Sequence, residues 1–389
     1  MDNKALYEIK KTQEEIRRLA ETPKSRGRWA YWKDPMVDFD YWRAIPRSKD
    51  TKPFVVDFER QGHAEVLGFS LKEFYTDPYA YVLHSLRILL HKFHTFEDCT
   101  PLRKVIVFIP GAGFEKAIFG SAQVITEQDA WVGRDIVIHE RADIAALTMP
   151  DFHTSGNMPE IINFYEKMRE ITDDDFTVTF PQWSRSPWGV AWHLRGIDNL
   201  LLDYADDPQW VRDFVGFITD VRIHWAEQRA EYLGCGLKVC NIYNDEVLSP
   251  VVSPELYRAI ILPSEIKLSE RFGGVHYWHS CGNVTPFLHD INQIPNLYMS
   301  HVSPWTDIRE SARVYDPEKT AIEVDLHGHD DVLNASGENQ IRHKLESFKR
   351  DTKDFHSLIR AAGLEIVHDV KTDLENIQRW IKCAHSVFR

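Results

Sequence analysis

The chain is poor in cysteine: five in 389 residues, at positions 99, 235, 240, 281 and 383. The set is odd in number and scattered, so a disulfide framework is not expected and a reducing compartment fits better. No two cysteines form a CxxC pair, which removes zinc-finger and thioredoxin-like readings. Basic charge is also short. The 46 Lys and Arg face 59 Asp and Glu, for a net charge of −13. A general nucleic-acid or acidic-membrane binder carries a basic footprint, so neither partner is expected. No uninterrupted apolar run reaches transmembrane length. The polar opening Met-Asp-Asn-Lys lacks the apolar core of a signal peptide, and a cytoplasmic protein is the expectation. The turn Pro110-Gly111-Ala112-Gly113 has neither the Lys-Ser/Thr of a phosphate loop nor the spacing of a dinucleotide fingerprint. Low-complexity linkers and short-period repeats are missing as well.

What is present is a globular composition, 43% hydrophobic with twelve tryptophans, able to bury a large core. In residues 1–22, Leu6, Ile9, Ile16 and Leu19 recur near helical spacing. Residues 23–52 are irregular and aromatic, with Trp29, Tyr31, Trp32, Tyr41 and Trp42. Together they read as an N-terminal extension, 1–52, ahead of one domain, 53–389. Within that domain, strand-like runs occur at 53–58, 104–109, 176–180, 237–243, 274–278, 297–302, 320–326 and 364–370. Helical patterns cover 71–95, 159–171, 207–233, 254–272 and 337–362, and residues 120–140 alternate like a hairpin. Strands separated by helices predict parallel neighbours joined by crossovers. Eight such strands predict an α/β fold of the (β/α)8 barrel type, with an open doubly wound sheet as the alternative. Polar, reactive residues at the ends of many strands favour the barrel, whose C-terminal face collects them.

The densest of these ends is Tyr277-Trp278-His279-Ser280-Cys281-Gly282-Asn283. Residues two apart share a face of a strand, so His279 and Cys281 project together. Imidazole and thiolate are zinc donors; the plain alternative is a core histidine beside a buried cysteine. Asp245 and Glu246 end the fourth strand and are candidate acid, base or ligand groups, or else caps of the next helix. Trp183, Trp188 and Trp192, in a segment expected to be a loop at the barrel mouth, point to an apolar, ring-accepting cavity, or pack that loop onto the rim. Arg185 is a candidate for a substrate carboxylate or phosphate.

At these residues the chain resembles the uroporphyrinogen decarboxylase superfamily, on its zinc-dependent corrinoid methyltransferase branch. His279-Ser280-Cys281-Gly282-Asn283 looks like the branch's zinc-binding His-x-Cys-Gly-Asn. Weaker pieces follow in order over roughly 100–389. They are Phe119-Gly120-Ser121-Ala122, Asp207-Pro208, Leu248-Ser249-Pro250, Val252-Ser253-Pro254-Glu255-Leu256-Tyr257, Leu262-Pro263 and Asp373-Leu374-Glu375-Asn376-Ile377. The resemblance implies a (β/α)8 barrel holding Zn²⁺. It implies methyl transfer between a small molecule and a corrinoid (methylcobalamin) carried by a separate protein. A methoxylated aromatic is the expected methyl donor, and a homodimer is left open. The branch's third ligand, usually a cysteine before the last helix, is not in 365–370; His368 is the expected substitute, with Cys383 a weaker one. His327 and His329 match a mouth loop, which implies substrate contact. The arginine-rich motif of true porphyrinogen decarboxylases is missing, so that activity is disfavoured; a metal-free lyase using Asp245, Glu246 and Arg185 is the alternative. The chain also lacks the Asp-x-His-x-x-Gly pattern of corrinoid carriers.

Overall fold

The computed structural model describes residues 2–33, 44–128, 130–132 and 135–388; Tyr41 and Trp42 of the expected aromatic arm lie outside them. Among the described residues ten strands form: β1 Phe54–Phe58, β2 Val105–Val107, β3 Gln123–Ile125, β4 Ala130–Val132, β5 Thr177–Thr179, β6 Cys240–Tyr243, β7 Val275–His279, β8 Met299–Val302, β9 Ala321–His327 and β10 Ser357–Leu364. β3 and β4 are the expected hairpin, antiparallel with Val124 opposite Trp131. The other eight pair in parallel and build the barrel. Six of them form one curled sheet in the order β1-β10-β9-β8-β7-β6, and β2 pairs β5.

Two seams interrupt the ring. Past the end of β5, Tyr243 N–H donates to Ser184 O (2.8 Å) and Ser186 N–H donates to Tyr243 O (2.9 Å), which ties that strand to β6. Between β1 and β2 no ladder forms among the described residues. β1 instead bonds the segment before β2: Cys99 N–H donates to Phe54 O, and Val56 N–H donates to the Asp98 carboxylate.

The expected strands are present, with one displaced. The last runs over Ser357–Leu364 rather than 364–370, and the helix before it is Glu338–Asp351 rather than 337–362. Ala361 and Ala362 read as helix formers, yet Ser357 to Ala362 lie in register with Ile322 to His327 of β9. Tertiary pairing overrides the local preference. The second change is at 181–193, expected as a loop. A helix, Pro187–Arg195, starts inside it, with Ser186 Oγ accepting from Gly189 N–H at 2.9 Å. Serine at the cap and proline in the first turn are the sequence signal for that start.

The N-terminal helix Asp2–Ala20 lies on the helix Pro78–Thr95 and buries Ile9 and Ile16 completely. Trp32 Nε1 donates to Cys99 O at 2.8 Å, and Arg28 donates to Phe96 O and Thr100 O. No helix among the described residues is long and apolar enough to cross a membrane.

Candidate metal centre and cavity

β7 is buried along its whole length and stops at His279. Asn244 N–H donates to His279 O at 2.7 Å, extending the β6 to β7 pairing by one residue, so Asp245 arrives beside the imidazole. Beyond His279, Ser280 Oγ donates to Val247 O at 2.8 Å and accepts from Gly282 N–H at 3.1 Å. This turn brings Cys281 back toward the ring. It needs glycine at 282, where a Cβ would meet Leu248 Cβ at 2.3 Å.

The result is a group of three donors of different kinds. His279 Nε2 lies 3.1 Å from Cys281 Sγ and 3.2 Å from Asp245 Oδ1, and all three ligand atoms fall within 4.8 Å of one another. His279 is buried and Cys281 is exposed. Burial alone would raise the Asp245 pKa, but the hydrogen bond and charge of His279, the Arg185 guanidinium and a Cys281 hydrogen bond together hold it well below the usual carboxylate range. Imidazole nitrogen, thiolate and carboxylate are the donor types zinc takes. A tetrahedral ion would set the nitrogen and sulfur about 3.6 Å apart, a small opening from the spacing observed. The residues therefore fit a zinc ion.

Glu246, next in sequence, turns the other way. Its Oε1 is bonded by the Arg185 guanidinium and lies 2.7 Å from His193 Nε2. Arg185 is largely buried. Desolvation would lower its pKa, but Glu246, Glu115 and Asp245 outweigh it and raise it. Glu115 fixes the Arg185 backbone, accepting from Ser184 N–H and Arg185 N–H at 3.2 and 3.1 Å. Neither Glu115 nor His193 stood out in the sequence, because only the folded helix Pro187–Arg195 brings His193 to Glu246.

The structure leaves the remaining candidates outside the three-donor group. His368 follows the last strand by four residues, and its Nδ1 sits 2.6 Å from Asp373 Oδ1 while Asp373 also accepts from Val367 N–H and His368 N–H. That is a helix-start arrangement for Val370–Phe388. Cys383 is buried on that same helix. His327 Nδ1 accepts from Asp330 N–H at 3.2 Å, and His329 faces Glu365 at 3.6 Å; both are partly exposed at the mouth beside Trp305. Trp183 and Trp188 are buried in packing, Trp183 edge-on to Trp225 and Trp188 edge-on to Trp192.

The cavity is elsewhere. A space of about 400 Å³ opens at the seam between β1 and β2 and reaches Arg185 and Asp245. Phe58, Phe74, Tyr81, Phe108 and Phe114 wall it, with Asp57 and Lys92 at the β1 end. Its rings are phenylalanines and tyrosines from β1, β2 and the neighbouring helices rather than the tryptophans of the sequence reading, and charged groups share the lining.

Below the three donors, the inward side chains of the sheet form a buried polar network. Tyr277 Oη donates to Glu323 and lies 3.2 Å from His279 Nδ1. Arg360 donates to Glu323 at 2.5 Å and lies 3.5 Å from Asp57 and 3.7 Å from Asp325. The His301 ring lies tilted by 36° against His279 with centroids 4.1 Å apart, and its Nε2 is 2.9 Å from Asp325 Oδ2. The alternation of Glu323 and Asp325 along β9 was the available sequence signal for an inward charged face.

Comparison with known proteins places these features. Residues 120–387 match the family described as Uroporphyrinogen decarboxylase (URO-D). The methylated-thiol–coenzyme M methyltransferase of Methanosarcina mazei is 24% identical over 148 residues, 38% of this chain and 39% of that protein. The chain thus spans about two-fifths of that relative's length in the match. A solved methyltransferase from Methanosarcina mazei superposes with a TM-score of 0.63 at 14% identity, covering 87% of this chain and 95% of that one, a likeness of fold.

Proposed function

This chain belongs to the uroporphyrinogen decarboxylase (URO-D) family, and from that premise we propose that it is a zinc-dependent methyltransferase. It moves a methyl group between a small substrate, of methoxylated aromatic type, and a corrinoid carried by a separate protein. The observation that carries the reading is the grouping of His279, Cys281 and Asp245 at the edge of an aromatic cavity. His279 and Cys281 hold the ion, and Asp245 adds a half-buried carboxylate beside the imidazole. A bound zinc supplies Lewis acidity toward the oxygen or sulfur that bears the methyl group. The phenylalanine and tyrosine walls receive a flat apolar body, and the charged groups that share the lining meet its polar substituents. Arg185, held by Glu246 and by the fixed backbone at Glu115, sits where the cavity meets the donors and orients a polar substituent.

The methylated-thiol relative supports methyl transfer and makes a thiol acceptor the neighbouring alternative. A metal-free lyase would rest on Asp245, Glu246 and Arg185; the mutual pairing of Arg185 and Glu246 leaves it less to work with. The test is metal analysis of the purified protein and of His279→Ala and Cys281→Ser, followed by assay of cob(I)alamin methylation with methoxyarenes, methylamines and methyl thiols. Zinc retained in full by both variants, or no methylation from any donor, removes the reading.

A further inference from the structure

The deep network contains a second set of possible ligands, His301, Glu323 and Asp325, but Arg360 already supplies the cation there, lying against both carboxylates. The network has a different use. Glu323 is fully buried and paired to Arg360, so it acts as a carboxylate acceptor. A phenol has one hydrogen, and that of Tyr277 goes to Glu323. The Tyr277 oxygen 3.2 Å from His279 Nδ1 can then only accept. The hydrogen of that contact must sit on Nδ1, so Nε2, on the side where Cys281 and Asp245 stand, is the nitrogen left for a metal.

We infer that Tyr277, oriented by the Glu323–Arg360 pair, is a positioning residue that holds the hydrogen of His279 on Nδ1 and aims Nε2 at the metal. The inference rests on the zinc reading above. Outer contacts of this kind fix ring orientation and typically change metal affinity 10- to 100-fold. Arg360 reaches Asp57 on β1, so the lock spans the sheet from β7 through β9 and β10 to the cavity wall. It is made wholly by strand residues, where a support can be rigid.

Two measurements test it. The first needs no substitution: two-bond ¹H–¹⁵N correlation spectra of zinc-free protein labelled in histidine, with His279→Ala to assign the signal. A hydrogen on Nδ1 is expected at His279, with or without a second on Nε2 facing Asp245, and an Nδ1 that carries none overturns the inference. The second is zinc affinity by competition with a chromophoric chelator. Tyr277→Phe should weaken binding about 10- to 100-fold, whereas Tyr315→Phe should stay within about twofold; Tyr315 is another buried tyrosine, bonded to Ser300 instead. A Tyr277→Phe protein that binds as tightly as wild type sinks this inference alone. A wild-type protein that binds no zinc sinks the metal reading and this inference with it. Should Tyr277→Phe fail to fold, the tautomer measured on the wild type still decides.

Discussion

From β6 round to β1 the strands pair edge to edge in one continuous sheet, and the side chains converging inside it are ionic: His301, Glu323, Asp325, Arg360 and Asp57. Across the barrel, β2 and β5 stand as a separate pair, and the space beside them is walled by aromatic rings. A ladder unbroken by seams positions groups closely, which charged donors need, since buried charges are tolerated only when paired. A seam leaves room, which a substrate needs. The difference divides the labour: one half holds the donors still, and the other makes the cavity.

The largest expected effect strikes the first half at its tip. Cys281→Ser should cut zinc affinity by more than about 100-fold, beyond what outer contacts provide, and abolish methyl transfer while leaving the fold intact, because Cys281 is exposed. Zinc measured by elemental analysis after dialysis checks it. If affinity is unchanged, the two halves do not differ in the way described.

Phe108→Ala probes the other half. Phe108 lines the cavity, stacks on Phe164 at 5.1 Å and meets Tyr81 edge-on at 5.3 Å. Removing the ring should cost about 3–5 kcal/mol of stability, read in a denaturant titration, and should change KM. Zinc affinity should hold. A loss of zinc would mean that the seam does not isolate the halves.

Gly189→Ala tests the junction between them. A Cβ there would lie 2.5 Å from Glu246 Oε2 and 3.1 Å from Arg185 Cγ. The Glu246 carboxylate is pinned by Arg185 and His193 and cannot swing away cheaply. The expected cost is roughly 1–3 kcal/mol, with a fall in turnover larger than any change in zinc content. Thermal melting and metal analysis on the same sample separate the two.

How far the sequence reached follows the same division. The strands and the His-x-Cys pair were legible because short apolar runs, the shared face of residues two apart and a turn at Gly282 are local signals. That Asp245 meets His279 while Glu246 meets Arg185 was not. Both carboxylates end the same strand, and the backbone turn after β6 sends them apart. The chain from Asp57 to Arg360 joins residues 303 positions apart, which no local pattern reports. His368 looked well placed because the last strand was drawn too late; with Leu364 as its end, the histidine belongs to the next helix start. The tryptophans drew the eye for their size, yet Trp183 and Trp188 are buried in packing and Trp192 is half-buried against Trp188, and the cavity took its rings from residues the sequence presents as ordinary core.

The smallest effect lies behind the charged half and carries its lesson through the barrel wall. Glu265, on the helix Leu262–Phe272, is completely buried and accepts from Asn244 Nδ2, Tyr257 Oη and Trp278 Nε1, all neutral donors. Asn244 and Trp278 immediately precede Asp245 and His279. Glu265 receives no hydrogen bond from a guanidinium among the described residues, and desolvation pushes its pKa up to about 7, against the lowering pull of those hydrogen bonds and of the nearby Arg222 charge. The native state therefore holds a proton between about pH 4.5 and 7 that the unfolded chain has released. Stability from this group is fully present below the unfolded value, falls as pH rises through that window, and levels off above it. Between pH 6 and 8 the loss should be about 1 kcal/mol. Glu265→Gln should remove that slope. A flipped Asn244 amide can present its oxygen, which now lacks a partner, to the new amide nitrogen, so the variant keeps its hydrogen bonds. Denaturant titrations of both proteins across that range give the difference directly. A wild-type slope equal to the variant's would mean that Glu265 is already ionised, its charge balanced by Arg222 and the neutral donors.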